Sequence, residues 1–146
     1  MSPRKGQYAS LHGNKVLIWN SNSDEPITTL ESGKEIIKCI AFSSNGTRLV
    51  AGFQSGAICV WNLDDFECRF FSDNHRMTVT DITFLTDDEC ITSSEDGTWK
   101  IWNIEHNSCL STVSMPTFNL SGCNFSDATF ETSSTKEFVI ECGGNI

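Results

Sequence analysis

The chain has 146 residues, the length of one domain, with 38% hydrophobic residues and a formal net charge of −9 from 19 acidic and 10 basic side chains. No apolar run approaches the ~20 residues of a membrane-spanning helix, and no apolar segment follows Arg4 and Lys5 to make a signal peptide. The acidic balance opposes binding to a phosphate backbone, which needs a basic stripe to displace counterions, so the expected partners are neither membrane nor nucleic acid. Seven cysteines, an odd number with no C-x-x-C pair, predict free thiols in a cytoplasmic or nuclear setting rather than a disulfide framework or a zinc site. Most of them lie in apolar runs, where a thiol behaves as a small hydrophobe.

In chain order, "YASLH" (8–12) and "KVLIWN" (15–20) stand on either side of Gly13-Asn14. "IIKCIAFSSNG" (36–46), "RLVAGF" (48–53), "SGAICVWN" (55–62) and "CRFF" (68–71) follow. The same order returns as "TVTDITFLTDD" (78–88), "ECITSS" (89–94), "EDGTWKIWN" (95–103) and "CLSTV" (109–113). Trp19-Asn20, Trp61-Asn62 and Trp102-Asn103 are 42 and 41 residues apart. Helical periodicity is absent, and Gly, Asn, Asp and Ser punctuate every few residues, so each unit reads as four short strands, here called a to d. The third strands "VLIW" (16–19) and "ICVW" (58–61) are apolar throughout, as strands covered on both faces tend to be. Beyond these, "LSGCNF" (120–125) reads as another strand a and "KEFVIEC" (136–142) as another strand b.

A period of ~40–45 residues with four strands and a closing Trp-Asn resembles the WD repeat, the blade of a β-propeller. The resemblance covers residues 2–113 well and 118–142 weakly, with Trp-Asn in place of the commoner Trp-Asp. It implies an all-β partial propeller: an incomplete first blade in 1–31 (strands b–d), complete blades in 32–72 and 73–113, and the first half of another in 114–146. Fewer than the ~4 blades of the smallest closed rings are present. The chain is therefore expected to be a segment of a longer protein whose other blades complete its open edges. Self-assembly of two or more copies is the rival reading.

The family ties a blade with four side chains: a His before strand a, a Ser or Thr of strand b, the Asp of the b–c turn and the Trp of strand c. The resemblance places these at His75, Ser94, Asp96 and Trp102 in the third unit, where Asn74-His75 stands for the usual Gly-His. The corresponding residues are Gly33, Phe53 and Ser55 with Trp61 in the second unit, and Leu11 and Gly13 before Trp19 in the first. Both of those units are expected to lack the tetrad and to lean on apolar packing around their anchors Trp19 and Trp61.

No phosphate loop, G-x-S-x-G elbow or H-E-x-x-H occurs, so no catalytic residue, cofactor or metal is assigned. His106 falls in a polar turn and His12 at a b–c corner. The resemblance implies a non-catalytic scaffold for other proteins or peptides, with partner positions on d–a loops and b–c turns at Lys34, Glu35, Gln54, Arg76, Met77 and Glu95. Trp61-Asn62-Leu63-Asp64 and Trp102-Asn103-Ile104-Glu105 end on Asp64 and Glu105 where the Trp-Asp-x-Arg of ligase receptors has Arg, which lowers a ligase-adaptor role. The alternative is the sensor or autoinhibitory portion of a multidomain enzyme, such as a WD-repeat nucleotide-switch ATPase.

Overall fold

The structure, a computed structural model, describes residues 6–114. Eleven strands alternate with short turns, and no helix occurs among the described residues. A first sheet joins β1 (Gln7–His12), β2 (Lys15–Asn20) and β3 (Pro26–Glu31). The second orders β4 (Ile37–Phe42), β5 (Arg48–Phe53), β6 (Ile58–Asn62) and β7 (Cys68–Phe70). The third orders β8 (Val79–Phe84), β9 (Glu89–Ser94), β10 (Thr98–Asn103) and β11 (Ser108–Ser114). Every pairing is antiparallel between sequence neighbours, the outcome expected when short β-branched runs are separated by tight turns. The segments 120–125 and 136–142 lie outside the described residues.

The three sheets share one register. Each Trp faces the second strand at an equivalent rung: Trp19 opposite Tyr8, Trp61 opposite Leu49, Trp102 opposite Cys90. The irregularities recur as well. A shift at Ile37/Cys39 in the second sheet matches one at Val79/Asp81 in the third, and one at Ile18/Trp19 matches one at Ile101/Trp102. A β-bulge adds local twist, so repeating it at one rung gives successive sheets one curvature.

Apolar side chains fill the two spaces between the three sheets. Val16, Ile18 and Leu30 of the first meet Leu49, Ala51, Phe53, Cys59 and Trp61 of the second. From its other face, Val50, Ile58, Val60 and the adjoining Phe71 meet Val79, Ile82, Cys90 and Trp102 of the third. The middle sheet is thus covered twice, and that is why β5 and β6 carry no polar alternation. Burying one large side chain in such a layer contributes roughly 1.5–3 kcal/mol. The sheets pack closely enough that a Cβ on Gly52 would stand 2.5 Å from Val79 Cγ1. Arg48 adds a polar tie, its guanidinium 2.7 Å from Asp88 of the third sheet.

Candidate functional site

At one end of the sheets, the turns after β1, β5 and β9 meet the loops that lead into β4 and β8. The backbone holds them together. Gly13 O accepts from Ile37 N at 2.9 Å, Gly56 O from His75 N at 3.0 Å, and Thr78 O from Glu95 N at 3.0 Å. Gly56 is specific to this contact: its φ is +91°, and a Cβ there would lie 2.3 Å from His75 O. Lys34, Glu35, Gln54, Arg76, Met77 and Glu95 are all exposed on these segments, Met77 with half of its surface free. Two groupings form among them. Glu35 accepts from the Ser55 hydroxyl beside Gln54, while Arg76 N donates to Asp96 Oδ2 at 2.8 Å beside Glu95.

Beneath that surface the third sheet carries a buried polar chain. The Trp102 indole N–H donates to Thr92 Oγ1 at 2.8 Å, and Thr92 Oγ1 stands 2.7 Å from His75 Nε2. On the other side of the ring, His75 Nδ1 faces Thr98 Oγ1 at 3.0 Å and Asp96 Oδ2 at 3.3 Å. Thr98 gives its hydroxyl proton to Asp96 Oδ1 at 2.6 Å, and its amide donates to the same oxygen at 2.9 Å. One set of protons satisfies every member. Thr92 accepts from the indole and donates to a bare Nε2, and the Nδ1–H points at Thr98 and Asp96. The His75 side chain is 0% exposed and that of Asp96 6%.

The charges follow from this burial. Desolvation pushes the His75 pKa down, outweighing the attraction of Asp96, so the ring is held neutral. For Asp96 burial works the other way, but it is overcome. The Thr98 hydroxyl, the Arg76 and Thr98 amides and His75 together hold the carboxyl below its ordinary value. Lys100, only 7% exposed, reaches Asp73 at 3.0 Å and lies 5.6 Å from the centre of the Trp102 ring. That lysine's hydrogen bond holds Asp73 below the usual carboxylate range.

The hydroxyl at the centre is Thr92, and the expectation of Ser94 is corrected. Ser94 ends its strand at the rung of Thr98, four residues from Trp102, or ~13 Å at strand rise. Thr92 faces Lys100, two residues from Trp102, within diagonal reach of an aromatic ring. Ser94 instead donates to Met77 O at 3.0 Å and accepts from Asp96 N at 3.1 Å, which braces the turn.

Counting the same rung in the other sheets changes two more assignments. In the second, Ala51 faces Cys59, so Ala51 rather than Phe53 matches Thr92, and no hydroxyl is offered. In the first, Ser10 faces Leu17, and Trp19 Nε1 donates to Ser10 Oγ at 2.8 Å with His12 Nε2 at 3.0 Å from that oxygen. The first sheet therefore does not rest on apolar packing alone, since it keeps an indole–hydroxyl pair that Leu11 and Gly13 had hidden.

No group of three or more metal-ligating side chains is assembled among the described residues. A cleft of about 330 Å³ lies at the opposite end of the second and third sheets, where Arg48, Asp64, Glu67, Arg69 and Glu105 line it.

Comparison with known proteins agrees with this geometry. The family described as "WD domain, G-beta repeat" matches residues 24–62 and 66–103, together more than half of the chain. The chain is 29% identical over 116 residues to Protein ROOT INITIATION DEFECTIVE 3 of Arabidopsis thaliana, covering 69% of this chain and 26% of that protein. It is 34% identical over 71 residues to apoptotic protease-activating factor 1 of Rattus norvegicus, covering 49% and 6%. It thus spans about a quarter of the first relative's length and far less of the second's. The solved structure of the RRP9 WD40 repeats superimposes with a TM-score of 0.72 at 23% identity, over 79% of this chain and 37% of that one. The three sheets are propeller blades, and the chain belongs to the WD-repeat family.

Proposed function

We propose that the chain is a non-catalytic protein–protein interaction scaffold and forms part of a larger propeller. WD-repeat proteins generally act as such scaffolds. The observation that carries the reading is the convergence of d–a loops and b–c turns into one surface, held by interblade backbone bonds through Gly13 and Gly56. A rigid frame that displays exposed, chemically mixed side chains is how recognition is built on loops. His75 supports a structural role rather than a catalytic one, since its ring is buried and both nitrogens are engaged. The net charge of −9 favours protein over nucleic-acid partners, and the free thiols suit a cytoplasmic or nuclear setting.

The test is a double charge reversal, Arg76→Glu with Glu95→Lys, on two exposed side chains of adjoining segments. Thermal unfolding stays unchanged and at least one protein captured from cell extract by the wild type is lost. Capture of an identical set by both forms rejects this surface. A second reading makes the blades the gating portion of a multidomain enzyme such as a nucleotide-switch ATPase. Its support is the likeness to apoptotic protease-activating factor 1, of which the chain spans 6%. A phosphate-binding loop encoded upstream of this chain would favour that reading, and further blades alone would favour the plain scaffold.

A further inference from the structure

The β6–β7 hairpin of the second blade holds two thiols that the scaffold reading leaves unused. Cys59 lies opposite Phe70 and Cys68 opposite Trp61. Directly opposed residues of an antiparallel pair point to one face, so both thiols share the face toward the first blade, on a diagonal across the intervening Val60–Arg69 rung. Each thiol shifts the titration of the other, Cys68 raising Cys59 and Cys59 lowering Cys68. Their surroundings differ sharply: Cys59 is 0% exposed, whereas Cys68 opens the three-residue edge strand and is exposed to solvent.

The third blade provides a built-in contrast. Cys109 occupies the strand-d rung opposite Trp102, as Cys68 does opposite Trp61. The residue matching Cys59 there is Lys100, opposite Thr92 as Cys59 is opposite Ala51. Cys109 instead contacts Ser111 O at 3.4 Å and Thr112 Oγ1 at 3.6 Å. An exposed thiol with a second thiol diagonal to it on the same face thus occurs at Cys68 and not at the equivalent Cys109.

We propose that Cys68 is an oxidant-sensitive modification site and that Cys59 is its resolving thiol. The Cys68 sulfur, as thiolate, attacks one oxygen of a hydroperoxide. The O–O bond breaks, the leaving oxygen departs with a proton as water or alcohol, and Cys68 becomes a sulfenic acid. Cys59 then gives up its proton and attacks the Cys68 sulfur. The S–O bond breaks, hydroxide takes a proton to leave as water, and a Cys59–Cys68 disulfide remains. Two thiols lose two electrons and the peroxide gains them.

The chemistry of the two positions suits these roles. The neighbouring Cys59 thiol holds the Cys68 thiol below its ordinary value despite partial burial, and exposed, acidic thiols beside a resolving partner are the oxidant-sensitive ones. Burial pushes the Cys59 thiol up, with Cys68 and the nearby Glu35 adding to the effect. The resolving step is accordingly the slower one. Closing a bond of ~2.05 Å needs the strands to draw together, and β7 can yield because it is short and pairs with β6 alone.

Trypsin releases both cysteines in one peptide, residues 49–69, because Arg48 and Arg69 bound a stretch without Lys or Arg. The reduced 146-residue chain is treated with hydrogen peroxide, quenched at intervals and digested. Peptide 49–69 should first be trapped as a sulfenic acid by dimedone and then lose two hydrogens, while the Cys109 peptide stays reduced. In Cys59→Ala the dimedone adduct persists and no disulfide forms; in Cys68→Ser both products vanish although the exposed substitution leaves the blade folded. Equal oxidation of Cys109 and Cys68 would overturn the proposal. So would a Cys59 that remains alkylatable after unfolding once Cys68 is fully oxidised.

Discussion

The second and third blades share strand order, register and the rung of a β-bulge, yet they carry different chemistry at three matched points. Gly33, Ala51 and Ser55 of the second stand where the third has His75, Thr92 and Asp96. Strand b reads "LVAGF" in one and "CITSS" in the other, and both are fully enclosed. The second blade is covered on both faces by apolar layers, so volume and shape decide its stability. The third encloses hydroxyls, an imidazole and a carboxylate, so it depends on directional bonds that leave no member unsatisfied. One backbone plan thus tolerates either solution, and the two should fail in different ways.

The largest effect is expected from the anchor of the apolar blade. Trp61→Ala removes a side chain that is 1% exposed and leaves a cavity the enclosed sheet cannot collapse into, at a cost of about 3–5 kcal/mol in urea unfolding. Next comes Thr92→Val, which keeps the shape but orphans the Trp102 indole and His75 Nε2, costing roughly 2–3 kcal/mol. Ser94→Ala, which loosens only the turn, should cost about 1 kcal/mol. A reversed order of these two would return the central hydroxyl to Ser94.

Acid should separate the blades further. His75 has its folded pKa below the ordinary value of 6.5, so its stabilisation is complete above about 6.5 and is lost as pH falls from there towards the folded value. Asp96, also depressed, adds a second loss below 3.8. Urea unfolding at pH 7 and pH 5 should show this loss in the wild type and a smaller one in His75→Phe. An equal loss in the two would remove His75 as its source.

The smallest effect is a gain. Phe66 and Asn107 occupy matching positions in two c–d turns at φ of 62° and 52°. The left-handed region suits Asn but strains a bulky Phe, so Phe66→Gly should stabilise by about 0.5 kcal/mol after the added chain entropy of glycine. Destabilisation would mean that the half-exposed ring packs better than its exposure indicates.

The repeat, the all-β class and the strand order were legible because Trp-Asn pairs and turn residues recur at a fixed period. His75, Asp96 and Trp102 could be placed through the resemblance to the WD repeat, each lying at a loop or strand end where the family's pattern can be matched residue by residue. Thr92 could not, because its partner is set by the cross-strand ladder rather than by its distance from Asp96. Its signal was the hairpin itself: Trp102 and Thr92 are ten residues apart and Trp19 and Ser10 nine, folded about one turn. Counting inward from the turn finds both hydroxyls and also Ala51 as the gap in the series. The Cys59–Cys68 diagonal was hidden similarly, since nine residues of sequence conceal a shared face only two rungs apart.

The measurement closest to the central claim is the protonation state of the His75 ring, read from its two ¹⁵N shifts as pH is lowered from 7. The hydrogen-bond chain from Trp102 through Thr92 to Asp96 predicts a neutral ring carrying its proton on Nδ1, which stays neutral to below pH 6.5. An imidazolium already present above that pH, or a proton on Nε2, would contradict the chain and with it the contrast between the two blades.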